Sequence, residues 1–212
     1  MMTVHQLTNN GLGEITYVLA DETGKCAIVD PGFTSPDECE ALVSLISQQN
    51  LEPISLLFTH LHFDHVYGAR FVIDKYGLKA SAHELELPVL EMNKLLTSEW
   101  RIPSPEAFNV DNLINDADVI TVGNSSLTAF LIPGHTPGSL AYYCAESNFC
   151  ISGDALFMFS IGRCDFPGGS EKQLIAAIKQ KLMTLPDDTI VYPGHGSKTS
   201  IGNERKFNPY LQ

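Results

Sequence analysis

Basic residues are scarce in this sequence. Its 13 lysines and arginines stand against 25 aspartates and glutamates, for a formal net charge of −12. Because nucleic-acid binding relies on basic surface, this balance argues against a nucleic-acid partner. No apolar run approaches the roughly 18 to 20 residues that a membrane span needs, so no membrane partner is expected. The opening residues MMTVHQLTNN lack the basic and apolar regions of a signal peptide, and we therefore expect a cytoplasmic protein.

The cysteines include no CxxC pair, and their number is odd: Cys26, Cys39, Cys144, Cys150 and Cys164. This pattern favours reduced thiols over a disulfide framework. Hydrophobic residues make up 44% of the chain and charged residues 18%, which is ordinary for a globular protein. A length of 212 residues suits one large domain, which we place at residues 1–212.

The two halves of the sequence repeat one order of elements. Strands are predicted at residues 15–20, 26–29, 54–58, 127–132, 140–144, 149–152 and 189–192. Three helices are predicted outside the middle segment of the chain. The first begins at Ser35-Pro36, the second follows the histidine cluster and extends to Tyr76, and the third covers residues 171–182. The order strand, VDPG, helix, strand, FTH in the first half matches strand, SGD, helix, strand, YPGH in the second. The repetition predicts two stacked β-sheets with helices outside and polar residues at a shared edge.

The middle of the chain, residues 84–115, has a different character. Residues 84–100 are predicted to be helical, and Ile102-Pro103-Ser104-Pro105 then ends the helix. The segment is either a lid or a connecting segment, and the sequence leaves both interpretations open.

Three histidines and an aspartate fall within six consecutive residues, in the pattern H-x-H-x-D-H. In an extended segment, side chains two residues apart share a face, so His60 and His62 can reach one point. Asp64 and His65 open the following helix and can face a second point. Asp64 alone would be an ordinary helix N-cap, but four ligand-capable groups together favour a metal site.

Three further polar residues follow predicted strands beside glycine. They are His135 in PGHTPGS, Asp154 in SGD and His195 in YPGHG. Glycine allows the sharp turn that leaves a polar side chain at the end of a strand. The same pattern at three places favours one shared site over three unrelated turns.

The number of candidate ligands selects the type of site. Five histidines and two aspartates exceed the four ligands of a closed structural zinc site, and no cysteine is among them. Two metal ions that share a bridging carboxylate would use all seven and leave positions open for water and substrate. We expect two divalent ions, with zinc as the first expectation. Iron and manganese suit the same ligands.

H-x-H-x-D-H with the later His, Asp and His resembles the metallo-β-lactamase superfamily over nearly the whole chain. The resemblance implies an α+β fold, a four-layer αβ/βα sandwich with halves related by a pseudo-twofold axis. It also implies one metal held by His60, His62 and His135, a second held by Asp64, His65 and His195, and Asp154 as the bridge. Zinc β-lactamases commonly have a cysteine at the Asp154 position, so antibiotic hydrolysis is disfavoured.

Within the superfamily, the loop Gly162 to Gly169 (GRCDFPGG) and the tail SIGNER at 200–205 resemble the short, glyoxalase II-like hydrolases. That likeness implies a thioesterase acting on S-acylglutathione-type or related thioesters through a metal-bound hydroxide. Asp64 and Asp154 would be catalytic, and Arg163 would bind a substrate carboxylate. An ion pair between Arg163 and Asp165 is the alternative. The family usually has threonine or serine at the Cys164 position.

Two other functions remain open at this point. Persulfide dioxygenases share this fold and a similar Gly-Arg-x-Asp-Phe loop, but use one iron, whose equivalent ligands are His60, His135 and Asp154. The other alternative is a non-catalytic domain in which the metal only joins the two halves. The remaining histidines, His5 and His83, are interpreted as structural. The expected partner is a small-molecule thioester, and the oligomeric state is left open.

Overall fold

The computed structural model describes residues 1–212. The strands are β1 (Thr3–Asn9), β2 (Glu14–Ala20), β3 (Lys25–Val29), β4 (Glu52–Leu57), β5 (Ala80–Ala82), β6 (Val110–Leu113), β7 (Val119–Val122), β8 (Ser125–Leu131), β9 (Leu140–Cys144), β10 (Phe149–Gly153), β11 (Leu156–Phe157), β12 (Ser160–Ile161), β13 (Ile190–Pro193) and β14 (Thr199–Ser200). The α-helices are α1 (Pro36–Gln48), α2 (Phe63–Val66), α3 (Ala69–Tyr76), α4 (Leu87–Trp100), α5 (Glu171–Lys181) and α6 (Ile201–Phe207). Short 3₁₀ helices lie at Glu84–Glu86 and Leu182–Thr184.

Two six-stranded sheets form the centre of the fold. The first has the order β1-β2-β3-β4-β5-β6, and the second has the order β14-β13-β10-β9-β8-β7. Pairing is parallel from β3 to β6 in the first sheet and between β10 and β13 in the second. The remaining pairs in these two sheets are antiparallel. Parallel strands end at the same edge, so the residues that follow them become neighbours.

The burial of β2 explains the layer order. Tyr17 and Leu19 pack between the two sheets, whereas Val18 packs on the opposite face against the helical side. Every residue of β2 is buried because both faces are covered. A third cluster packs α5 and α6 against the outer face of the second sheet. The result is the predicted four-layer αβ/βα sandwich, and the fold class is confirmed.

Local signals place the helices. α1 begins where Ser35-Pro36 predicts it, with a capping box in which the Ser35 side chain accepts from Glu38 N–H and Glu38 reaches back to Ser35 N–H. Its Leu42 and Ile46 are buried against the first sheet. None of the helices combines the length and apolarity needed to cross a bilayer.

The helix predicted after the histidine cluster is interrupted. It divides into α2 and α3 at Tyr67-Gly68, where Gly68 N–H donates to Pro31 C=O at 2.7 Å. The ring of Phe33 lies where a Cβ on residue 68 would stand. The break between α2 and α3 is therefore set by these tertiary contacts of Gly68, which the helical periodicity of the sequence does not reveal.

Segment 84–115 is only partly helical. The 3₁₀ turn and α4 cover Glu84 to Trp100, and β6 then pairs with β5 as the edge of the first sheet. The sequence analysis missed β1, β6 and β7 because much of each strand is exposed, so none presents a continuous apolar run. We retain the prediction of one domain over residues 1–212, since the two sheets share a core.

Two backbone hydrogen bonds join the sheets at one edge. Ile15 N–H, at the start of β2, donates to Gly194 C=O at 2.8 Å. Leu140 N–H, at the start of β9, donates to Thr59 C=O at 2.7 Å. Each bond joins the first residues of a strand in one sheet to the loop that follows a strand in the other. Each sheet thus donates one such hydrogen bond to the other, as expected for two halves related by a pseudo-twofold axis.

Two buried tyrosines reinforce the same edge. Tyr17 of the first sheet donates to Pro193 C=O at 2.6 Å, and Tyr142 of the second sheet donates to Phe58 C=O at 2.6 Å. Burial raises the pKa of both hydroxyls, so each stays a donor. Tyr142 therefore both packs in the core between the sheets and joins them through its hydroxyl.

Asp21 joins the sheets at the opposite end of β2. Its Oδ1 accepts from Thr23 N–H at 2.9 Å and from Asn124 N–H at 3.1 Å, and its Oδ2 accepts from Ser125 Oγ at 2.6 Å. These bonds, led by the one from Ser125, lower the pKa of the Asp21 carboxyl. The carboxylate thus stabilises the fold when it is ionised.

Replacing Asp21 with asparagine should lower the free energy of unfolding at pH 7 by about 1.5 kcal/mol, because charge-assisted hydrogen bonds are lost. The folded pKa lies below the unfolded value of about 3.9, so the contribution is full above that pH and is lost as pH falls below it. Urea unfolding at pH 7, 5, 4 and 3 measures the difference between the two proteins. Asp188→Asn is the control, since this exposed side chain makes no hydrogen bond. A difference that stays constant down to pH 3 would contradict the assignment.

Candidate metal centre

The predicted ligands gather at the edge where the sheets are joined. His60 follows β4, and His135 follows β8. Asp154 and His195 follow β10 and β13, which are parallel neighbours and end together. All seven candidate residues, named in the sequence analysis from His60 to His195, border one another in this space.

Three imidazoles form the first group. His62 Nδ1 lies 3.0 Å from His135 Nε2, and His135 Nε2 lies 3.3 Å from His60 Nε2. The rings are nearly perpendicular to one another, with interplanar angles of 82° to 89°. All three residues are buried. Their ring nitrogens therefore point at one small volume from three directions.

The hydrogen bonds behind two of these rings fix their tautomers. His135 Nδ1 lies 2.7 Å from Arg163 C=O, which can only accept, so Nδ1 carries the proton. The Thr59 hydroxyl donates to Asp30 Oδ2 and therefore accepts from His60 Nδ1 at 3.2 Å. The inward Nε2 atoms of His60 and His135 consequently both carry lone pairs. Two acceptors that face each other at 3.3 Å repel, and a cation between them would remove that repulsion.

The spacing of these nitrogens fits a divalent ion. Metal–nitrogen bonds of 2.0 to 2.1 Å at tetrahedral angles separate ligand nitrogens by about 3.3 to 3.4 Å. The observed separation of 3.3 Å matches that requirement, and the separation of 3.0 Å is about 0.3 Å shorter, which a small rotation of a ring would correct. Neutral imidazoles and carboxylates are ligands for zinc, iron and manganese alike, so the donor set does not select one metal.

The second group combines a carboxylate with two imidazoles. Asp64 Oδ2 lies 3.2 Å from His195 Nε2 and 4.0 Å from His65 Nε2. His65 Nδ1 is occupied by Asp30 Oδ2 at 3.1 Å, and His195 Nδ1 by Leu12 C=O at 3.2 Å. Both rings therefore present Nε2 to the shared volume. Outer partners of this kind orient metal-binding histidines.

Asp154 lies between the two groups. Its Oδ2 is 3.7 Å from both His135 Nε2 and His195 Nε2, and its Oδ1 is 3.5 Å from His65 Nε2. Asp154 Oδ1 and His65 Nε2 are buried, and neither makes a hydrogen bond within the protein. Buried polar atoms without partners are costly. A carboxylate in this position, shared between two groups of ligands, has the geometry of a bridge.

Burial controls the protonation of the first group. Burial lowers the pKa of His60, His62 and His135, and that of His62 falls to about 3. Repulsion from neighbouring imidazoles lowers it further for His60. These rings are neutral near pH 7 and offer the lone pairs that metal binding requires.

Charge pairing dominates the second group. Burial opposes ionisation of both His65 and Asp154, but their mutual attraction raises the pKa of His65 and lowers that of Asp154. The His195 pKa is also raised, because attraction to Asp64 and Asp154 outweighs its burial. The carboxylates are thus ionised, and His65 and His195 hold a proton more readily than the rings of the first group.

Asp30 is the residue that the sequence analysis missed as part of the site. It is buried at the end of β3, with a left-handed φ of 48°. Besides its contacts to Thr59 Oγ1 and His65 Nδ1, it accepts from Thr59 N–H at 2.7 Å. It therefore orients His65 directly and His60 through Thr59. The sequence did contain a signal for Asp30 as a site residue: in V-D-P-G, as in S-G-D, an aspartate close to a glycine follows a strand.

Arg163 does not face the ligand cluster with its guanidinium. Its Nε and Nη2 donate to Asp165 at 3.0 and 2.9 Å, and the guanidinium lies 4.6 Å from the centre of the Phe166 ring. This is the ion pair that the sequence analysis gave as the alternative. The substrate contact of Arg163 stays a prediction, while its carbonyl orients His135. His83, interpreted as structural, accepts from Leu85 N–H at 3.2 Å.

A cavity of about 1320 Å³ lies next to loops that carry the ligands, and none of the seven candidate ligands lines it. Its lining includes Leu12, whose carbonyl contacts His195, and Phe63, which lies between His62 and Asp64 in sequence. Trp100 and residues 102–106 line it from the middle segment. The wall also carries Phe33, Tyr67 and Phe71, with three acidic and two basic side chains: Glu40, Asp74, Glu106, Arg70 and Lys75. The lining is aromatic and has no excess of positive charge.

With this geometry established, comparison with known proteins identifies the family. The profile of the metallo-beta-lactamase superfamily matches residues 10–195. The chain belongs to that superfamily. It is 34% identical to the hydroxyacylglutathione hydrolase GloC of Haemophilus influenzae over 193 residues, which cover 90% of this chain and 89% of that protein.

Solved structures agree with this placement. The B3 metallo-beta-lactamase BLEG-1 superposes with a TM-score of 0.87 at 32% identity, over 99% of this chain and all of that one. TTHA1623, solved in a di-iron-bound form, superposes with a TM-score of 0.86 at 34% identity, over 98% of this chain and all of that one. The chain is a metallo-hydrolase of this superfamily with a metal-binding His/Asp cluster.

Replacing Gly194 with alanine should weaken metal binding by about 10-fold or more. A Cβ there would overlap Asp154 Oδ1 and crowd His65 Cε1, so the bridging carboxylate must move. Metal retained per chain after dialysis against a graded chelator measures the loss. Gly11→Ala is the matched control, because its Cβ meets no atom within 4 Å. Equal retention in the two variants would show that Asp154 does not need this position.

Proposed function

We propose that this chain hydrolyses thioesters, S-acylglutathione-type or related, at a binuclear metal centre of the glyoxalase II-like kind. The observation that carries the proposal is the position of Asp154 between two groups of ligand atoms, at 3.7 Å from a nitrogen of each. We propose His60, His62 and His135 for one ion, Asp64, His65 and His195 for the other, and Asp154 for both. Likeness to a hydroxyacylglutathione hydrolase supports the substrate class.

Differences in exposure indicate the side from which substrate approaches. The side chains of His60 and His65 are essentially inaccessible, whereas His195 retains 24% of its side-chain surface and Asp64 retains 11%. The open side of the centre is therefore the one that His195, Asp64 and Asp154 border, whereas His65 is enclosed. The cavity adjoins the loops on this side through Leu12, which lines it and whose carbonyl contacts Nδ1 of His195.

The chain's own residues would orient the reaction. Two divalent ions held there would supply Lewis acidity and lower the pKa of water toward about 7. Asp64, on the open side, would accept a hydrogen bond from the attacking water and direct its lone pair at the thioester carbonyl carbon. As the bond from the water oxygen to that carbon forms, the water would lose a proton through Asp64 to solvent. The carbon–sulfur bond would then break, and the sulfur would leave as a thiolate without a general acid, because the corresponding thiol has an ordinary pKa near about 8.5. No acidic side chain is required for that step.

The cavity lining supports an apolar acyl group as the occupant. Its aromatic wall matches apolar surface, and its three acidic side chains against two basic ones offer little to a polyanionic thiol. Arg70, moreover, already holds Asp74 through two hydrogen bonds of 2.9 and 2.6 Å. The proposed partner is therefore a small-molecule thioester with an apolar acyl part.

Changing Asp154 to asparagine should lower kcat for thioester hydrolysis on the order of 100-fold, because a bridging carboxylate is lost. The measurement is thiol release from S-lactoylglutathione and from acyl thioesters of several lengths, on protein with measured metal content. Asp165→Asn is the control, since that exposed carboxylate pairs only with Arg163.

Two rival outcomes are measured on the same protein. A single iron per chain with oxygen uptake on glutathione persulfide would replace the proposal by the dioxygenase alternative. Hydrolysis of a β-lactam with no thioester turnover would instead favour the activity named for BLEG-1. Two metals with no turnover of any of these substrates would leave the non-catalytic alternative.

Replacing Trp100 with alanine should lower kcat/KM about 10-fold for long or aryl acyl thioesters and leave S-lactoylglutathione nearly unchanged. Trp100 packs edge-on against Phe63, with ring centres 5.4 Å apart, so its removal opens the cavity wall. Phe207→Ala is the control, because it removes an exposed aromatic outside the cavity. Equal losses for short and long acyl groups would rule out the cavity as the acyl site.

A further inference from the structure

The backbone of Leu61 is held from both sides by the middle segment of the chain. Leu61 separates His60 from His62, and its N–H donates to Glu86 Oε2 at 2.9 Å. Its C=O accepts from Asn93 Nδ2 at 2.8 Å. Both polar side chains are buried. The peptide groups that set the directions of His60 and His62 are therefore fixed by residues outside the H-x-H-x-D-H motif.

The second oxygen of Glu86 reaches another ligand loop. Glu86 Oε1 accepts from Gly138 N–H at 2.8 Å, in the loop that carries His135. A Cβ at Gly138 would crowd Glu86, at 2.9 Å from Oε1 and 3.1 Å from its backbone nitrogen. A single carboxylate thus joins the two loops that supply the whole first group of histidines.

The chemistry of this contact requires a carboxylate. Both oxygens face backbone N–H donors, and glutamine would turn its own NH₂ group toward one of them. Burial increases the free-energy cost of this mismatch, because a buried N–H group without an acceptor loses its hydrogen bonds to water and gains none in return. Burial raises the pKa of Glu86, and the hydrogen bonds from Leu61 and Gly138 act against that shift.

The second group of ligands is held by different contacts. Asp30 orients His65, Leu12 C=O orients His195, and the Asp64 carbonyl accepts from Asn10 Nδ2 at 3.2 Å. None of these contacts involves Glu86 or Asn93. Asp30 also holds His60 through Thr59 and so serves both groups, whereas Glu86 and Asn93 hold only the backbone beside the first group.

We infer that Glu86, with Asn93, is a positioning residue for one of the two ions: it holds the His60, His62 and His135 group in register, but not the Asp64, His65 and His195 group. The inference rests on the proposed two-ion centre and not on the thioester as substrate. It assigns segment 84–115 a supporting role at the site, in addition to its place in the cavity wall.

The test is a Co²⁺ titration followed by visible absorption, with a competing chelator, on the metal-free full-length chain. For Glu86→Gln, we expect one of the two binding events to weaken by about 10- to 100-fold and the other to keep its affinity. The absorption bands of the weakened site should change, which a general loss of stability would not produce at one site alone. Asn93→Ala should weaken the same event to a smaller degree and keeps the test valid if Glu86→Gln does not fold.

Glu204→Gln is the matched control. Glu204 is also fully buried and accepts four bonds, from Phe159 N–H at 2.9 Å, Thr199 Oγ1 at 2.6 Å, Asn203 Nδ2 at 3.4 Å and Asn208 Nδ2 at 2.8 Å, but none joins the ligand loops. It should lower thermal stability and leave both Co²⁺ affinities intact. Unchanged binding in folded Glu86→Gln or Asn93→Ala, or equal losses at both sites, would overturn the inference and leave the proposed function standing. Fewer than two Co²⁺ per wild-type chain would instead remove the two-ion centre and the inference with it.

Discussion

Two lone pairs that face each other across 3.3 Å, on Nε2 of His60 and Nε2 of His135, are the contact on which the site depends. Both rings are buried, so water cannot screen the repulsion between them. The protein could relieve it by turning either ring, but Thr59 and Arg163 C=O hold the outer nitrogens and prevent rotation. A cation held between the two rings would remove this repulsion, so metal binding would favour the folded state.

The joined edge of the two sheets makes this contact possible. Backbone bonds from Ile15 and Leu140 cross between the sheets beside the loops that carry His195 and His60. Because each half contributes one such bond, ligands separated by more than a hundred residues along the chain are held by a rigid frame. Asp154 and His195 also follow parallel neighbours, so their spacing is set by the sheet and not by loop flexibility.

Much of the site could be predicted because its ligands follow strand ends in a repeated glycine-containing pattern. The order of strands and helices predicted two stacked sheets with helices outside, because both sheets have buried, apolar inner strands, and the family resemblance implied the four-layer sandwich. Exposed edge strands such as β1 and β6 escaped prediction because their pairing is determined by neighbours and not by their own apolar pattern. Asp30 and Glu86 escaped as site residues because a strand-end aspartate and a helix-start glutamate have common structural roles.

The sequence by itself determined which groups can bind metal, because imidazole and carboxylate chemistry belongs to the residues His60 to His195 wherever they lie. It also determined the layer order, since apolar periodicity decides which faces must be buried. Only the tertiary structure decided that Asp154 stands between two groups, that Arg163 pairs with Asp165, and that Glu86 joins two distant loops. The positions of Asp154 and Glu86 depend on distances between residues far apart in the chain, which are fixed when the two sheets pack together, whereas the Arg163 pair depends on the conformation of its own loop.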